Sequence, residues 1–454
     1  MYQSFFEHDQ LIKTYQGMKR KKFTTGLDRI TKAKYDRIYK SDLTTTSNKI
    51  LCNTYTPTPY KEVLLVKNRT SPPRMLSLPT IRDKIILEVI KRILTDRFNS
   101  VLTYTTVSGI VECISNAIKN GTFDAFIKLD LKGFYDSIDH ETLLNKTRTL
   151  IENDDFLSSL IYKFISNCTK ADGSTDYEKN KLGVPQGISI SNILGNIYLS
   201  ELDCDNINAT NYQYIRYVDD ILILCTYDEM NEIKAKIIAL IESTGSITNK
   251  LKVNVDKCQI GHIETIDFLG YKFLADGTIS IADNNIKKIS NSIEKIFSDY
   301  YSSQDKRIKG NIDLLKWKLD IKITGCFRNK RRYGWVIFFQ QNECEEIMHK
   351  LDWLVIQLCK RFKLSKSLLQ NDIYIGKKFV KTYHEFKCKK EHTEYILNVD
   401  KFSQQDKRDI LINICKRKAS YINSRNDFLL NREFDRFIFY SIKDIEKDLY
   451  QIYT

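Results

Sequence analysis

Two adjacent carboxylates, Asp219 and Asp220, stand within the apolar stretch that runs from Tyr217 to Leu224. Burying two uncompensated charges is costly, so a buried pair of this kind should neutralise a cation. A divalent cation is the natural partner, because hard cations take oxygen ligands. The alternative interpretation is an exposed Asp-Asp hairpin turn, which the pair taken alone favours.

A third carboxylate ends an earlier apolar strand. The spacing predicts a strand over Ala125–Asp130, with Phe126, Lys128 and Asp130 on one face. If this strand lies beside the hairpin turn, its terminal carboxylate joins the other two. Three carboxylates can hold two ions, roughly 3.5–4 Å apart, that stabilise the attacking and leaving oxygens of phosphoryl transfer. We therefore predict a site for two Mg²⁺ ions, with Mn²⁺ as an acceptable substitute.

The elements around these carboxylates alternate irregularly. Patterning predicts a hairpin from strands at 60–66 and 74–78, and a helix from Ile81 that has one apolar face. Further helices are predicted over 141–167, 191–202 and 229–243, with paired strands over 214–226 and short strands at 252–255 and 267–273. Beyond Asn284 the pattern is mostly helical. This arrangement indicates an α+β fold and not a Rossmann sheet.

Composition favours a polyanionic partner. The 454 residues suggest two or three packed units, and the net charge is +14. Residues 301–454 carry 32 basic and 20 acidic residues, so most of the excess lies in the last third. The eleven cysteines form no C-x-x-C pair, which argues against structural zinc. Without a signal peptide or a long apolar run, we expect a cytoplasmic protein that does not enter the membrane.

The order of the motifs resembles that of reverse transcriptases, closest to the bacterial group II intron, retron and antiphage-defence lineages. The fingers resemblance lies in RMLSLPTIRDKI, which begins at Arg74. The palm resemblance lies in LDLKGFYDSIDH, GVPQGISISNILGNIYL, RYVDD and FLGYKF, which begin at Leu129, Gly183, Arg216 and Phe268. The resemblance implies a right-hand polymerase fold with fingers, palm and a helical thumb. We expect fingers and palm over 1–283, the thumb over 284–370, and a basic, mostly helical extension over 371–454.

The resemblance also implies a role for each matching residue. Asp130, Asp219 and Asp220 match the metal-binding triad, with the Leu131 carbonyl as an additional ligand, and Lys257 matches a lysine that protonates pyrophosphate. Tyr135 matches a bulky gate under the nucleotide sugar that favours dNTPs over rNTPs. The other implied nucleotide contacts are Phe134, Gln186, Arg74 and Arg82, where a surface ion pair is an equal alternative for Arg82. Implied primer or template contacts are Phe268, Leu269, Gly270, Arg331, Arg332 and Trp335.

The resemblance therefore implies an RNA-directed DNA polymerase, a nucleotidyltransferase that uses dNTPs, an RNA template and Mg²⁺ to make DNA. A dedicated non-coding RNA in antiphage defence is the leading biological role, with a retron or intron-maturase enzyme as the alternative. A non-catalytic RNA-binding scaffold that kept the palm is the competing class. An additional protein partner or a homo-oligomer stays open. For the segment around Trp335, a hairpin that buries this ring is an equal alternative to base stacking.

Overall fold

The structure is a computed structural model that describes residues 1–18, 23–66, 72–99, 106–174, 178–246, 248–305, 308–389, 392–446 and 449. The chain forms two compact units. The first contains Met1–Ile110 and Asn120–His262, and the second contains Val111–Lys119 and Ile263–Thr454. The predicted division into fingers with palm, thumb and extension stays a prediction. Among the described residues, no helix is both long and apolar enough to cross a bilayer.

The first unit combines antiparallel strands with helices that cover them. Its helices are α1 (His8–Met18), α2 (Lys32–Leu51), α3 (Ile81–Asn99), the start of α4 (Val107–Lys119), α5 (Phe134–Ser137), α6 (His140–Leu150), α7 (Asp155–Ile165), α8 (Ser191–Tyr198), α9 (Ser200–Asn206) and α10 (Met230–Ser243). Its strands are β1 (Tyr60–Leu65), β2 (Arg74–Leu78), β3 (Ala125–Asp130), β4 (Thr169–Lys170), β5 (Tyr212–Tyr217), β6 (Asp220–Cys225) and β7 (Gln259–His262).

The central sheet of this unit has the order β5-β6-β3-β7, and its neighbouring strands are antiparallel. Strand β6 is buried along nearly its whole length, because Ile221–Cys225 are apolar on both faces. Strand β3 alternates between buried and half-buried residues, which is the period of two predicted for it. A second sheet, β2-β1-β4, contains the predicted hairpin.

Helix α3 begins with a buried carboxyl group. Asp83 accepts hydrogen bonds from the hydroxyls of Tyr55 and Thr80, each at 2.6 Å. Burial raises the pKa of Asp83 to about 6, although these hydrogen bonds oppose the shift. Because the folded-state pKa lies above the ordinary value, the Asp83 contribution to stability is present below pH 4 and is lost as pH rises through about 6.

We therefore expect Asp83→Asn to change the pH dependence of stability. Between pH 4.5 and 7.5, the free energy of unfolding of the variant should gain about 2–3 kcal/mol relative to that of the wild type. Urea denaturation of both proteins at several pH values measures this difference. A difference that does not change with pH would contradict the expected titration of Asp83.

The second unit is mostly helical, as predicted for the chain beyond Asn284. Its helices are the rest of α4, α11 (Asp283–Ser302), α12 (Ile312–Thr324), α13 (Trp335–Phe338), α14 (Glu346–Arg361), α15 (Ser365–Leu368), α16 (Phe379–Lys389), α17 (Gln404–Asp409), α18 (Ala419–Asn423) and α19 (Asp427–Glu446). Its strands are β8 (Thr265–Phe268), β9 (Tyr271–Leu274), β10 (Ile279–Ile281), β11 (Cys326–Arg328), β12 (Arg331–Tyr333), β13 (Leu369–Gln370), β14 (Ile373–Tyr374) and β15 (Leu397–Asn398).

Candidate active site

The carboxylates predicted from the sequence meet at one end of the central sheet. Asp130, the last residue of β3, lies directly opposite Asp220, the first residue of β6. Asp219 occupies the turn between β5 and β6, next to Val218, whose φ is 57°. A β-branched residue in this left-handed region is a genuine outlier, so the surrounding structure must hold the turn.

Arg216 supplies that support from within the first unit. Its Nη1 donates to the Val218 carbonyl at 2.7 Å and to Asn196 Oδ1, on α8, at 3.0 Å. Its other nitrogens form an ion pair with Asp203 on α9, in which Nε donates to Oδ1 at 2.7 Å. Both side chains of this pair are at least 90% buried. Arg216 therefore ties the acidic turn to two helices.

The Asp130 carboxylate has two neighbours from the segment before β7. Lys257 Nζ donates to Asp130 Oδ2 at 2.9 Å, and Asn254 Nδ2 donates to the same oxygen at 3.1 Å. The main-chain N–H of Asn254 also donates a hydrogen bond to the Asp130 main-chain carbonyl at 2.8 Å. The Lys257 side chain is 62% exposed, so its ammonium group can reach both solvent and the carboxylates.

The two carboxyls of the turn are electrostatically unfavourable as anions. Burial raises the pKa of Asp220 to about 6, and the charge of Asp219 adds to the shift while that of Lys128 opposes it. Burial also raises the pKa of Asp219, with Asp130 adding to the shift and Arg74 and Lys257 opposing it. Cations are therefore favoured here, and those of the chain itself offset the repulsion only in part.

A divalent metal fits this donor set by chemistry, because three mutually repelling carboxylates are hard oxygen ligands. Over the described residues, however, no three His, Cys, Asp or Glu side chains converge closely enough to hold an ion. The Lys257 ammonium pairs with Asp130 where a metal cation would compete for the same oxygen. Metal binding would therefore require this carboxylate to change partners.

The Leu131 carbonyl is compatible with its predicted role. The hydrogen bonds that flank the Leu131–Val253 bridge use the Asp130 carbonyl and the Lys132 amide. None of the hydrogen bonds between described residues uses the Leu131 carbonyl oxygen. This oxygen therefore stays available to a metal ion.

The Pro-Gln-Gly loop lies against two other parts of the first unit. The Gln186 carbonyl accepts the Ser77 amide of β2 at 2.7 Å, and the Val184 amide donates to the Tyr135 carbonyl at 2.8 Å. At Gly183, with φ of 81°, a Cβ would approach backbone atoms of Tyr135 and Asp136 to 3.0 Å. The glycine therefore permits the close approach that joins the loop to the segment after Asp130.

The aromatic pair after Asp130 divides into one buried ring and one half-buried ring. Phe134 is 2% exposed, so a contact between its ring and a nucleotide is not available and only its main chain could line the site. Tyr135 is half-buried and packs on Phe134, with ring centroids 5.2 Å apart. Tyr135 is therefore the ring of this pair that can contact a ligand.

The two predicted arginines of the fingers differ in their surroundings. Arg74 is exposed on β2, and its charge opposes the rise in the pKa of Asp219 that burial causes. Arg82 instead forms a half-buried ion pair with Asp42, in which Nε donates to Oδ2 at 2.9 Å. The ion-pair alternative therefore describes Arg82, with Asp42 as the acid, and Arg74 is the stronger candidate for triphosphate contact.

The predicted primer and template contacts all lie in the second unit. Leu269 and Gly270 form the turn between β8 and β9, and Phe268 is buried. The Gly270 carbonyl accepts the Asn285 Nδ2 group of α11 at 2.9 Å. This turn is therefore anchored to the first helix that follows it.

The segment around Trp335 forms the hairpin that was the alternative to base stacking. Strands β11 and β12 pair about a turn at Asn329 and Lys330, both at positive φ, and Trp335 is 1% exposed. Because the ring is enclosed in the core, the structure favours the hairpin alternative for Trp335 over the predicted contact with nucleic acid. Arg331 and Arg332 are exposed on β12 and keep their prediction.

Sequence patterns missed Arg216 and Asn254 as supports of the carboxylates. Arg216 was visible as part of RYVDD, but its partner Asp203 is thirteen residues earlier on a separate helix. Asn254 is separated from Asp130 by 124 residues. The position of Arg216 next to two aspartates in the sequence was a usable signal, whereas nothing in the sequence linked Asn254 to Asp130.

A protein-family model matches the region that contains these residues. The family model described as "Reverse transcriptase (RNA-dependent DNA polymerase)" matches residues 66–273. The match includes the three carboxylates, Tyr135, Gln186 and Lys257, and it ends after the Leu269-Gly270 turn.

Individual relatives match over limited parts of their length. The chain is 34% identical over 156 residues to the "Group II intron-encoded protein LtrA" of Lactococcus lactis subsp. cremoris, a match that covers 33% of this chain and 26% of the relative. It is 30% identical over 204 residues to the "Putative COX1/OXI3 intron 2 protein" of Saccharomyces cerevisiae, covering 42% of this chain and 23% of that protein. The chain thus spans about a quarter of the length of these relatives.

Among solved structures, apo telomerase from Candida tropicalis aligns with a TM-score of 0.43 and 14% identity. The alignment covers 76% of this chain and 66% of the telomerase chain.

Proposed function

We propose that the protein is an RNA-directed DNA polymerase, because the reverse transcriptase family model matches residues 66–273, where the motifs predicted such a domain. The predicted α+β fold is confirmed by the described helices and strands, and the family match supports the predicted polymerase fold. The observation that carries the proposal is the pairing of Asp130 with Asp220 across two strands, beside Asp219 and Lys257. This arrangement supports the proposed roles of the three carboxylates as metal ligands and of Lys257 as a proton donor. Incorporation of labelled dNTPs by the purified protein tests the proposal.

In the proposed reaction, a primer 3′-oxygen attacks the α-phosphorus of a dNTP, and the bond from that phosphorus to the bridging oxygen breaks as pyrophosphate leaves. Asp130, Asp219, Asp220 and the Leu131 carbonyl would hold two Mg²⁺ ions. When bound, such ions activate the hydroxyl and neutralise the triphosphate charge. The chain has its own cation beside this group, since Lys257 lies 2.9 Å from Asp130. We assign to Lys257 the proton that passes to the departing pyrophosphate.

In this proposal, the nucleotide is bound by residues in and around the Pro-Gln-Gly loop. Arg74, exposed on β2, contacts the triphosphate as a charged donor. Gln186, whose main chain is fixed to β2, contacts the nucleotide without adding charge. The Tyr135 ring lies under the sugar and excludes a 2′-hydroxyl.

We expect Tyr135→Ala to weaken sugar discrimination. Removing the ring opens space for the 2′-hydroxyl, so the preference for dNTP over rNTP should fall by about 10²-fold, the scale on which a pocket rejects an added hydroxyl. Tyr135→Phe is the matched control, because it keeps the ring and should keep the preference. Single-nucleotide kcat/KM values for dNTP and rNTP on one primer–template measure the effect. Unchanged discrimination in Tyr135→Ala would remove this residue from the role of sugar gate.

The finer biological role that we propose is synthesis on a dedicated non-coding RNA in bacterial antiphage defence. The proposal is supported by the resemblance of the motifs and by the positive charge of residues 301–454. Sequencing of RNA and DNA that copurify with the protein tests it. One recurrent RNA, with DNA complementary to it, is the expected result. Heterogeneous cellular RNA would contradict a dedicated template.

An intron-maturase or retron-type reverse transcriptase is the second candidate, favoured by the matches to intron-encoded proteins. Copurified RNA that contains an intron would support that role in place of defence. The scaffold alternative predicts RNA binding without incorporation by the wild-type protein. An RNA-dependent RNA polymerase would incorporate rNTPs despite Tyr135.

A further inference from the structure

A cavity of about 1000 Å³ lies within the second unit, between helices α11, α12 and α19 and the segment around α18. Its volume is at the upper end of the range for ligand sites in proteins. The apolar part of its lining includes Leu314 of α12, Leu411 and Ile445. The polymerase proposal uses none of these residues.

The lining is rich in cationic side chains. Among the described residues, none of the following lining cations forms an ion pair with a carboxylate: Lys288, Lys295, Lys318, Arg417 and Arg436. Two of them, Lys288 and Lys295, are seven residues apart on α11 and so share one face, separated by about 10 Å along the helix. Repulsion within such a set favours a polyanion that bridges several of its members.

The acidic residues of the lining neutralise only part of this positive charge. Glu433 accepts a hydrogen bond from the Tyr421 hydroxyl at 2.8 Å and lies 3.9 Å from Arg425. Lys322 is 3% exposed, and its Nζ donates to the Asp444 carbonyl at 2.9 Å. The carboxylates of Asp299, Asp305 and Asp444 complete the acidic part of the lining, in which six cations face four acids in total.

Aromatic rings stand among these cations. Tyr440 is 51% exposed and Tyr421 is 42% exposed, although both line the cavity. Tyr440 follows Arg436 by one helical turn on α19, so a ring and a guanidinium project from the same face. Sequence-tolerant binding of single-stranded nucleic acid combines these two features, because cations contact phosphates while bases stack on rings.

We propose that this cavity binds a single-stranded nucleic-acid segment, whose phosphates contact Lys295 and Arg436 and whose bases stack on Tyr440 and Tyr421. The volume suits a few nucleotides and not a duplex. The lining contains none of the residues that the polymerase proposal uses, so this inference does not depend on the proposed polymerase function.

The test compares two charge-reversal variants of the full chain. Lys295→Glu with Arg436→Glu changes the cavity, and Lys287→Glu with Arg432→Glu is the matched control, since both control residues are exposed, lie on α11 and α19 and do not line the cavity. Anisotropy titrations with fluorescent U12 RNA and dT12 DNA measure affinity at several salt concentrations. The cavity variant should bind at least about 10-fold more weakly than the control variant. The negative slope of log K against log salt should become shallower by roughly 1.4, since each of the two lost phosphate contacts accounts for about 0.7.

The proposed stacking of bases on Tyr440 is tested separately with the variant Tyr440→Ala, which should weaken U12 binding by about 5-fold or more. Photo-crosslinking of 4-thiouridine RNA to the wild type should label peptides of α11 or α19. These readouts need no DNA synthesis, so an inactive polymerase with normal cavity crosslinks would overturn only the polymerase proposal.

Equal affinity for U12 and dT12 would support the proposal, and so would a preference for RNA. The proposed contacts are to phosphates and bases, which both oligonucleotides contain. Equal affinity and salt slope in the cavity and control variants would overturn it. Crosslinks confined to peptides outside the cavity would also overturn it. Displacement of U12 by UTP at the affinity of the oligonucleotide would show a mononucleotide site and reject the strand.

Discussion

Asp219→Ala is expected to lower the rate of dNTP incorporation by at least about 10³-fold, which corresponds to about 4 kcal/mol of transition-state stabilisation. The variant loses a carboxylate at the point where Asp130 and Asp220 lie opposite each other, and two carboxylates cannot hold both proposed cations. Folding should not suffer, because burial and neighbouring anions make the Asp219 carboxylate unfavourable in the free protein. The measurement is single-turnover incorporation with saturating Mg²⁺.

The matched control for this variant is Asp228→Ala. Asp228 is exposed in the turn that follows β6, within the same unit and three residues beyond the end of that strand. It should keep wild-type incorporation. Retention of full activity in Asp219→Ala would rule out the proposed metal site, whereas equal losses in both variants would indicate a general effect of charge.

Arg216→Met is expected to lower the free energy of unfolding by about 3–5 kcal/mol, because Asp203 would be left as an unpaired buried charge. Adding Asp203→Asn should restore most of this loss, since the double variant removes both charges. Urea denaturation of the two variants and the wild type measures the difference. No recovery in the double variant would show that the ion pair does not account for the instability.

Activity should separate from stability in this pair of variants. The double variant still lacks the hydrogen bond from Arg216 Nη1 to the Val218 carbonyl, which supports the left-handed residue before Asp219. Its kcat should therefore stay below that of the wild type even where its stability recovers. Wild-type kcat in the double variant would contradict the role of Arg216 in positioning the acidic turn.

The strands that carry the carboxylates could be predicted because their signal is local. The apolar run of β6 and the alternation of β3 specify strands, and Asp130 ends β3 while Asp220 begins β6. The resemblance to reverse transcriptases then implied a role for Lys257 in the same site, and its ammonium group lies 2.9 Å from Asp130 Oδ2. The sequence could not decide whether Arg82 binds a ligand or an acid, because its partner Asp42 comes from a distant helix.

Other local predictions failed where short segments could form more than one structure. The predicted strand at 252–255 reduces to the bridge between Leu131 and Val253, and strand β7 lies later, at Gln259–His262. The segment 267–273, predicted as a single strand, instead belongs to two strands, β8 and β9, joined by a turn. The chain turns there because Leu269 and Gly270 adopt positive φ. Trp335 was undecided, since an aromatic beside basic residues fits both a core and a nucleic-acid surface. In each case tertiary packing decided what the local pattern left open.

The central claim is tested most directly by primer extension on a defined RNA template with a DNA primer. With Mg²⁺ and one dNTP at a time, the wild-type protein should incorporate only the nucleotide complementary to the next RNA base, and with all four dNTPs it should extend to the template end. The product should resist RNase and be absent with Asp219→Ala. Incorporation that ignores the template base, or no DNA product while the protein still binds RNA, would contradict an RNA-directed DNA polymerase.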